Sequence, residues 1–273
     1  MRHINELIVQ AASSETIVPG FNVFGHEEAL AIVRAAERAN SPVLLSVNRG
    51  ARRGMAVEHW GALLASIVES AAVPVGVHLD HCTEIDVIQR ALVCGFTSVM
   101  YDGSKLPLSE NISIIGSVVQ QARLLDVAVE GEVGTVPYDD LGEVGGDMTV
   151  PEEAKAICEN GGLDWLAVSV GNVHRLTDRK VAIDFDVLTR IEEVCTVPLV
   201  IHGASGIREE DIQRLKRTRV GKMNIGTALR QVFGESLRRE FMTNPDAFDR
   251  LSLFKEPVRR LEEKAYELIC GLM

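Results

Sequence analysis

Cysteine, positive charge and long apolar runs are all in short supply in this chain, and each shortage closes off a class of protein. The five cysteines, Cys82, Cys94, Cys158, Cys195 and Cys270, make an odd count with no CxxC pair. That excludes a disulfide framework or a structural zinc cluster and fits a reducing, cytoplasmic setting. Lys and Arg number 28 against 39 Asp and Glu, a formal net charge of −11. Nucleic acid and anionic membrane are therefore poor partners, although a local positive field still suits a small anion. No window is long and apolar enough to span a bilayer. The opening MRHINELIVQAASSE is amphipathic and polar, unlike a secretory leader. A glycine-rich dinucleotide loop is missing as well: PGFNVFGHEE does not follow G-x-G-x-x-G, which argues against an open, doubly wound sheet.

What is present is a rhythm. Apolar, β-branched runs occur at 16–24, 42–48, 73–81, 97–103, 127–134, 165–172, 198–206 and 221–227. Between them, 26–40, 58–70, 84–94, 109–126, 151–159, 184–194 and 209–217 carry helical spacing. With 46% apolar residues over 273 positions, the chain can bury a large core. Eight strands alternating with helices predict an α/β fold, a single (β/α)8 TIM barrel spanning 1–273 with 228–273 as a C-terminal helical extension. Val258, Leu261, Leu268, Ile269 and Leu272 recur at helical spacing in that tail. Part of it should pack on its own barrel, and the remaining apolar surface predicts a homo-oligomer, a dimer or tetramer.

Barrel active sites lie at the C-terminal ends of the strands, and here those ends collect polar chemistry. They carry Asn22, Ser46 and Asn48, Asp80 and His81, Asp102, Glu132, His174, His202 and Ser205, then Asn224 and Thr227. His3, His26 and His59 fall in polar helical or terminal stretches and read as solvated. His78 reads as a hydrogen-bonded structural residue. His81, His174 and His202 come from three different strand ends, and three imidazoles with an open fourth position are what a catalytic zinc ion requires. The loops after strands seven and eight are the usual phosphate cradle of such barrels. They offer Gly203, Ala204 and Ser205, then Asn224, Ile225, Gly226 and Thr227. The connection TVPYDDLGEVGGDMTV reads either as a solvated loop or as a mobile lid.

The motifs VHLDHCTEID, SVMYDGSKLPLSENI, VAVEGEVG, HGASG and KMNIGT resemble the class II, metal-dependent aldolases that cleave ketose 1,6-bisphosphates. The likeness is to the tagatose- and fructose-bisphosphate branch and runs from PGFNVF to KMNIGT. It implies reversible cleavage to dihydroxyacetone phosphate and an aldehyde, within carbohydrate metabolism such as glycolysis. It also implies one zinc ion per chain on His81, His174 and His202, with Asp80 as the proton-transfer residue. Asp102 and Glu132 would hold a displaced or second metal, or a monovalent cation, while Asn22 and Ser46 would contact substrate. An acid of the lid would move a second proton; Asp139, Asp140 and Glu143 are candidates, Glu143 the favoured one.

The chemistry agrees, since the cleavage needs an electron sink at C2 and a base at the C4 hydroxyl. Because Asp80 and His81 are adjacent, a regular strand would turn them to opposite faces. The chain must leave strand geometry there.

Three positions depart from the family pattern: Arg175 replaces glycine after the histidine, GNVH replaces GTAH, and Gly226 takes an acidic position. Arg175 either clamps an anion or turns outward to an acid such as Asp178. Arg49, Arg52 and Arg53 also follow strand two. These departures leave open an aldolase for a phosphorylated sugar acid or deoxy-sugar phosphate, or a sugar-phosphate-binding barrel without turnover. A Schiff-base aldolase would need a lysine, and Lys222 precedes Asn224 at the wrong end of its strand.

Overall fold

The computed structural model describes residues 4–138, 146–176 and 180–273. The apolar runs form eight parallel strands: β1 (Val18–Asn22), β2 (Val43–Val47), β3 (Val75–Cys82), β4 (Ser98–Tyr101), β5 (Ala128–Val133), β6 (Trp165–Val168), β7 (Leu199–Ile201) and β8 (Val220–Ile225). They pair in chain order, and β8 bonds back to β1 to close the barrel. Closure leaves no strand edge unpaired.

Helices α1 (Ile4–Ala11), α2 (His26–Ala39), α3 (Arg49–Gly54), α4 (Val57–Glu69), α5 (Ile85–Leu92) and α6 (Leu108–Arg123) punctuate the first half. They are followed by α7 (Pro151–Gly161), α8 (Phe185–Val194), α9 (Glu209–Leu215), α10 (Thr227–Thr243) and α11 (Arg250–Leu272). Their limits follow local chemistry. Pro151 supplies the first residue of α7, and Gly162 ends it at φ 67°. The Asp184 carboxylate accepts from the Asp186 and Val187 amides to open α8. In α2 the buried Ala29, Ile32, Val33 and Ala36 form the stripe that faces the strands.

Two apolar layers result. The larger lies between strands and helices; the smaller fills the N-terminal end of the barrel, where Val18, Leu44, Met100, Ala128, Trp165, Ala167 and Val200 meet Ile4 and Ile8 of α1. Helix α1 comes very close, since a Cβ on Gly221 would lie 2.5 Å from the Ile8 carbonyl oxygen. The Trp165 indole donates to Asn5 Oδ1 at 2.8 Å, which settles the one polar atom of that ring.

The tail is two helices. Leu253, Pro257, Leu261, Ala265, Ile269 and Leu272 make the buried stripe of α11, so much of the extension packs back on the barrel. Strand six is shorter than its apolar run suggests. It stops at Val168, beyond which the Ser169 amide donates to Thr149 Oγ1 and the Val170 amide to the Asn172 side chain, each at 2.8 Å, instead of to a neighbouring strand. His174 therefore sits in the following loop. No helix of the described residues is long and apolar enough to cross a membrane.

Candidate active site

In β3, Val75, Val77 and Leu79 pack outward with the helices, so Gly76, His78 and Asp80 face the barrel interior. The next residue has to reach the same interior, and the backbone breaks to allow it. The β3–β4 register shifts between Leu79 and Cys82. His81 takes φ 46°, a left-handed conformation that costs an L-residue roughly 1–2 kcal/mol. This kink brings Asp80 and His81 into one site.

There His81 meets the other two strand-end histidines. Its ring centroid lies 4.6 Å from that of His202 and 5.0 Å from that of His174. One ring nitrogen of each lies within 4.8 Å of the others. His81 Nδ1 is 2.9 Å from Asp102 Oδ2, and His202 Nε2 is 2.9 Å from Glu130 Oε1. An ionised carboxylate only accepts, so both of those nitrogens carry the proton. The opposite nitrogens, His81 Nε2 and His202 Nδ1, then face each other across 2.9 Å, a hydrogen bond in which a protonated His81 donates to the His202 lone pair. Loss of that shared proton would leave both nitrogens as lone pairs available to a metal ion. His174 Nε2 is buried and has no hydrogen-bond partner among the described residues. Three lone-pair nitrogens on three strands or their loops suit a divalent metal that prefers imidazole.

Electrostatics set the protonation of the metal-free site. Burial, with the charge of His81, pushes His174 and His202 well below the ordinary imidazole range. Burial opposes charge on His81 too, but Asp80, Tyr138, Asp102 and Glu132 hold its pKa well above that range. Burial alone would raise Asp80, yet His81, His202, Lys222 and the Asn22 amide keep it below its usual value. Its two oxygens are fixed separately, Oδ2 by Asn22 Nδ2 at 2.8 Å and Oδ1 by Asn224 Nδ2 at 3.0 Å. Asp80 is thus an ionised, aimed carboxylate. Asp102 is likewise depressed, against its burial, by His81 and Ser104. Glu132 goes the other way: burial and the Asp102 charge raise it well above the usual carboxylate range. His81, Asp102 and Glu132 form a second cluster of convergent ligand atoms.

The loops after β7 and β8 meet. Ser205 Oγ accepts from the Ala228 amide at 3.1 Å, joining Gly203–Ser205 to the start of α10. Gly203 must be glycine, with φ 69° and a would-be Cβ 2.3 Å from the Val173 carbonyl. Gly226 packs under Asn22, where a Cβ would come within 2.6 Å of Asn22 Oδ1. Thr227 opens α10, and Ile225 points into the outer apolar layer, so only its backbone is available to a ligand. Ser46, paired with Asn22 across β1–β2, is fully buried, and its Oγ has no hydrogen-bond partner among the described residues.

Arg175 keeps the left-handed backbone that the family's glycine would favour, at φ 56°. Its guanidinium lies 5.0 Å over the Tyr138 ring, which itself stacks on His174 at 4.4 Å. Glu143, Asp139, Asp140 and Asp178 lie outside the described residues. Sequence reasoning missed Glu130, Tyr138 and Asn172 and undervalued Lys222. Asn172 Nδ2 holds the His202 carbonyl at 3.0 Å, and the altered GNVH motif was its only signal. Lys222 is wholly buried, with Nζ 2.6 Å from Glu130 Oε2.

Comparison with known proteins agrees with this geometry. Residues 2–272 match the model of the family Fructose-bisphosphate aldolase class-II. The YdjI aldolase from Escherichia coli K12 is 31% identical, with 98% of this chain and 96% of that one covered at a TM-score of 0.86. A protein from Coccidioides immitis assigned as a fructose-1,6-biphosphate aldolase is 27% identical, covering 99% and 96% at 0.89. The fructose-bisphosphate aldolase of Campylobacter jejuni shares the fold at 22% identity, covering 98% and 93% at 0.83. The chain belongs to the class II fructose-bisphosphate aldolase family, and it is an aldehyde-lyase built on a TIM barrel.

Proposed function

We propose that this enzyme is a zinc-dependent aldolase that reversibly cleaves a ketose bisphosphate into dihydroxyacetone phosphate and an aldehyde. The observation that carries the reading is the meeting of His81, His174 and His202 beside an ionised Asp80. The three imidazoles hold one zinc ion per chain. When bound, that ion supplies Lewis-acid pull on the C2 carbonyl. Asp80, aimed by Asn22 and Asn224, takes the proton from the C4 hydroxyl and returns it in the condensation direction. Asp102 and Glu132 receive a second metal or a monovalent cation. Gly203–Ser205 and Asn224–Thr227 cradle phosphate with backbone amides and hydroxyls, while Asn22 and Ser46 touch the sugar. Glu143 serves as the lid acid. The exposed Phe241, Met242, Phe248 and Leu251 near the α10–α11 turn favour a homo-oligomer, which light scattering at micromolar concentration would check.

A second substrate class has its own observation. Arg175, held over Tyr138 beside His174, favours a phosphorylated sugar acid whose extra carboxylate meets the guanidinium. Metal analysis of the purified protein, together with retro-aldol assays on a panel of ketose bisphosphates and phosphorylated sugar acids, tests both. About one zinc per chain and chelator-sensitive release of dihydroxyacetone phosphate are expected. A metal-free preparation that cleaves substrates at full rate would refute the zinc mechanism.

A further inference from the structure

Three strands place a second polar residue two positions below a residue of the site. His78 lies below Asp80, Glu130 below Glu132, and Lys222 below Asn224. Alternation turns each pair to the barrel interior, so the lower three form a layer of their own under the rim. All three are fully buried. Lys222 Nζ bonds Glu130 Oε2 at 2.6 Å and meets His78 Nε2 at 3.2 Å, while His78 Nδ1 meets Ser98 Oγ at 2.9 Å. The same Nζ lies 5.8 Å from the centre of the Trp165 ring. A charged pair in a barrel interior is expensive to desolvate, and apolar side chains fill the layer beneath it. Among the described residues, the hydrogen bond that joins this layer to the site is that of Glu130, whose other oxygen, Oε1, faces His202 Nε2 at 2.9 Å.

We propose that Glu130 and Lys222 are positioning residues that fix the ring and tautomer of His202. Lys222 occupies Oε2, which leaves Oε1 as the acceptor for His202. That oxygen holds the proton on Nε2 and keeps Nδ1 as the lone pair turned toward His81 Nε2. Asp102 does the same for His81 from the other side. The two carboxylates therefore act as a matched pair of outer supports, one at the rim and one inside the barrel. Partners of this kind orient metal-bound histidines, and their loss typically weakens metal affinity about 10- to 100-fold. The inference rests on the zinc reading given above.

The test uses the full-length protein and three measurements. Histidine ¹⁵N resonances of the metal-free wild type should show His202 protonated at Nε2. Zinc affinity should then be measured by competition with a chromogenic chelator, with circular dichroism confirming the fold. In the double variant Glu130→Met/Lys222→Met, which removes both charges at similar volume, His202 should lose its fixed tautomer and zinc should bind about 10- to 100-fold more weakly. Glu130→Gln/Lys222→Met restores an acceptor without a charge and should recover the tautomer and most of the affinity. Wild-type protein that binds zinc with His202 protonated at Nδ1 would overturn the inference alone, whether or not either variant folds. A folded double-methionine variant with wild-type zinc affinity would do the same. Wild-type protein that takes up no zinc would overturn the metal reading and this inference with it.

Discussion

The two ends of the barrel interior are built on the same alternation and reach opposite outcomes. In β5 the inward residues run Ala128, Glu130, Glu132, from an apolar floor through a buried charge to the rim. In β1 they run Val18, Gly20, Asn22, and β2 follows with Leu44 and Ser46. The floor closes because its side chains need no partner: Val18, Leu44, Ala128, Trp165 and Val200 pack against Ile4 and Ile8. The rim cannot close this way. Its groups are costly to bury unless each has a partner, and the partners come from other strands: Asp80 from β1 and β8, His81 from the end of β4, His202 from β5. Stability at the floor is thus a matter of volume, whereas order at the rim depends on matched hydrogen bonds. Among the described residues, the buried atoms left over at the rim, His174 Nε2, Ser46 Oγ, Glu132 Oε2 and Asn224 Oδ1, mark where a ligand fits.

Substitutions at the two ends should therefore fail differently. The largest effect is expected at the histidines: His81→Ala, His174→Ala and His202→Ala should each abolish tight zinc binding and, with it, turnover. If all three retain wild-type metal content by elemental analysis, the ligand assignment is wrong. Asp80→Ala should leave metal content nearly intact while lowering the cleavage rate roughly 100- to 10,000-fold. Near-normal turnover on the true substrate would remove Asp80 from the chemistry. At the floor, Leu44→Ala should cost roughly 2–5 kcal/mol of stability with zinc affinity unchanged. A denaturation curve and a chelator competition together read that contrast, and a Leu44→Ala protein with weakened zinc binding would blur the separation of the two ends. Arg175→Gly should relieve the left-handed strain and lower affinity for an anionic native substrate by roughly 10- to 150-fold. Unchanged kcat/KM across the substrate panel would move the search for specificity to Arg49, Arg52 and Arg53.

The smallest effect is a pH profile of the metal-free protein. Burial and neighbouring positive groups depress His78, His174 and His202 below the unfolded imidazole value, whereas carboxylates and Tyr138 raise His81 against its burial. Each depressed histidine contributes stability that is complete above about pH 6.5 and is lost as pH falls through the folded value. The His81 contribution is complete below about pH 6.5 and is lost as pH rises through its higher folded value. Below about pH 6.5 His81 is charged in both states and does not oppose them. The opposing group is Glu132, whose raised pKa costs stability as pH climbs above the usual carboxylate range. Three groups outweigh one, so Tm should rise between roughly pH 5 and 6.5. A flat or falling profile would count against neutral imidazoles in the site.

Much of this was legible in the residues before any fold was drawn. The eight apolar runs coincide with eight strands, and the polar residues at their ends mark the rim, because strand-end position depends on local pattern alone. The break at Asp80–His81 was also legible, since neighbours on a strand cannot share a face. The family resemblance added roles for Asn22, Asp102 and Glu132. Glu130 escaped notice because within VAVEGEVG it looks like one more inward strand residue.

What the sequence determined by itself, then, was the barrel, the C-terminal rim as the place of chemistry and the residue types gathered there. Those follow from periodicity and from the cost of burying polar groups, both written along the chain. Only the tertiary structure decided that Lys222 meets Glu130, 92 positions away in the chain, that Tyr138 stacks on His174, and which nitrogen of His202 faces His81. Alternation tells which way a side chain turns, but not its height in the barrel or its neighbour there. The stagger of eight strands around a closed sheet sets both, and no single strand carries that information.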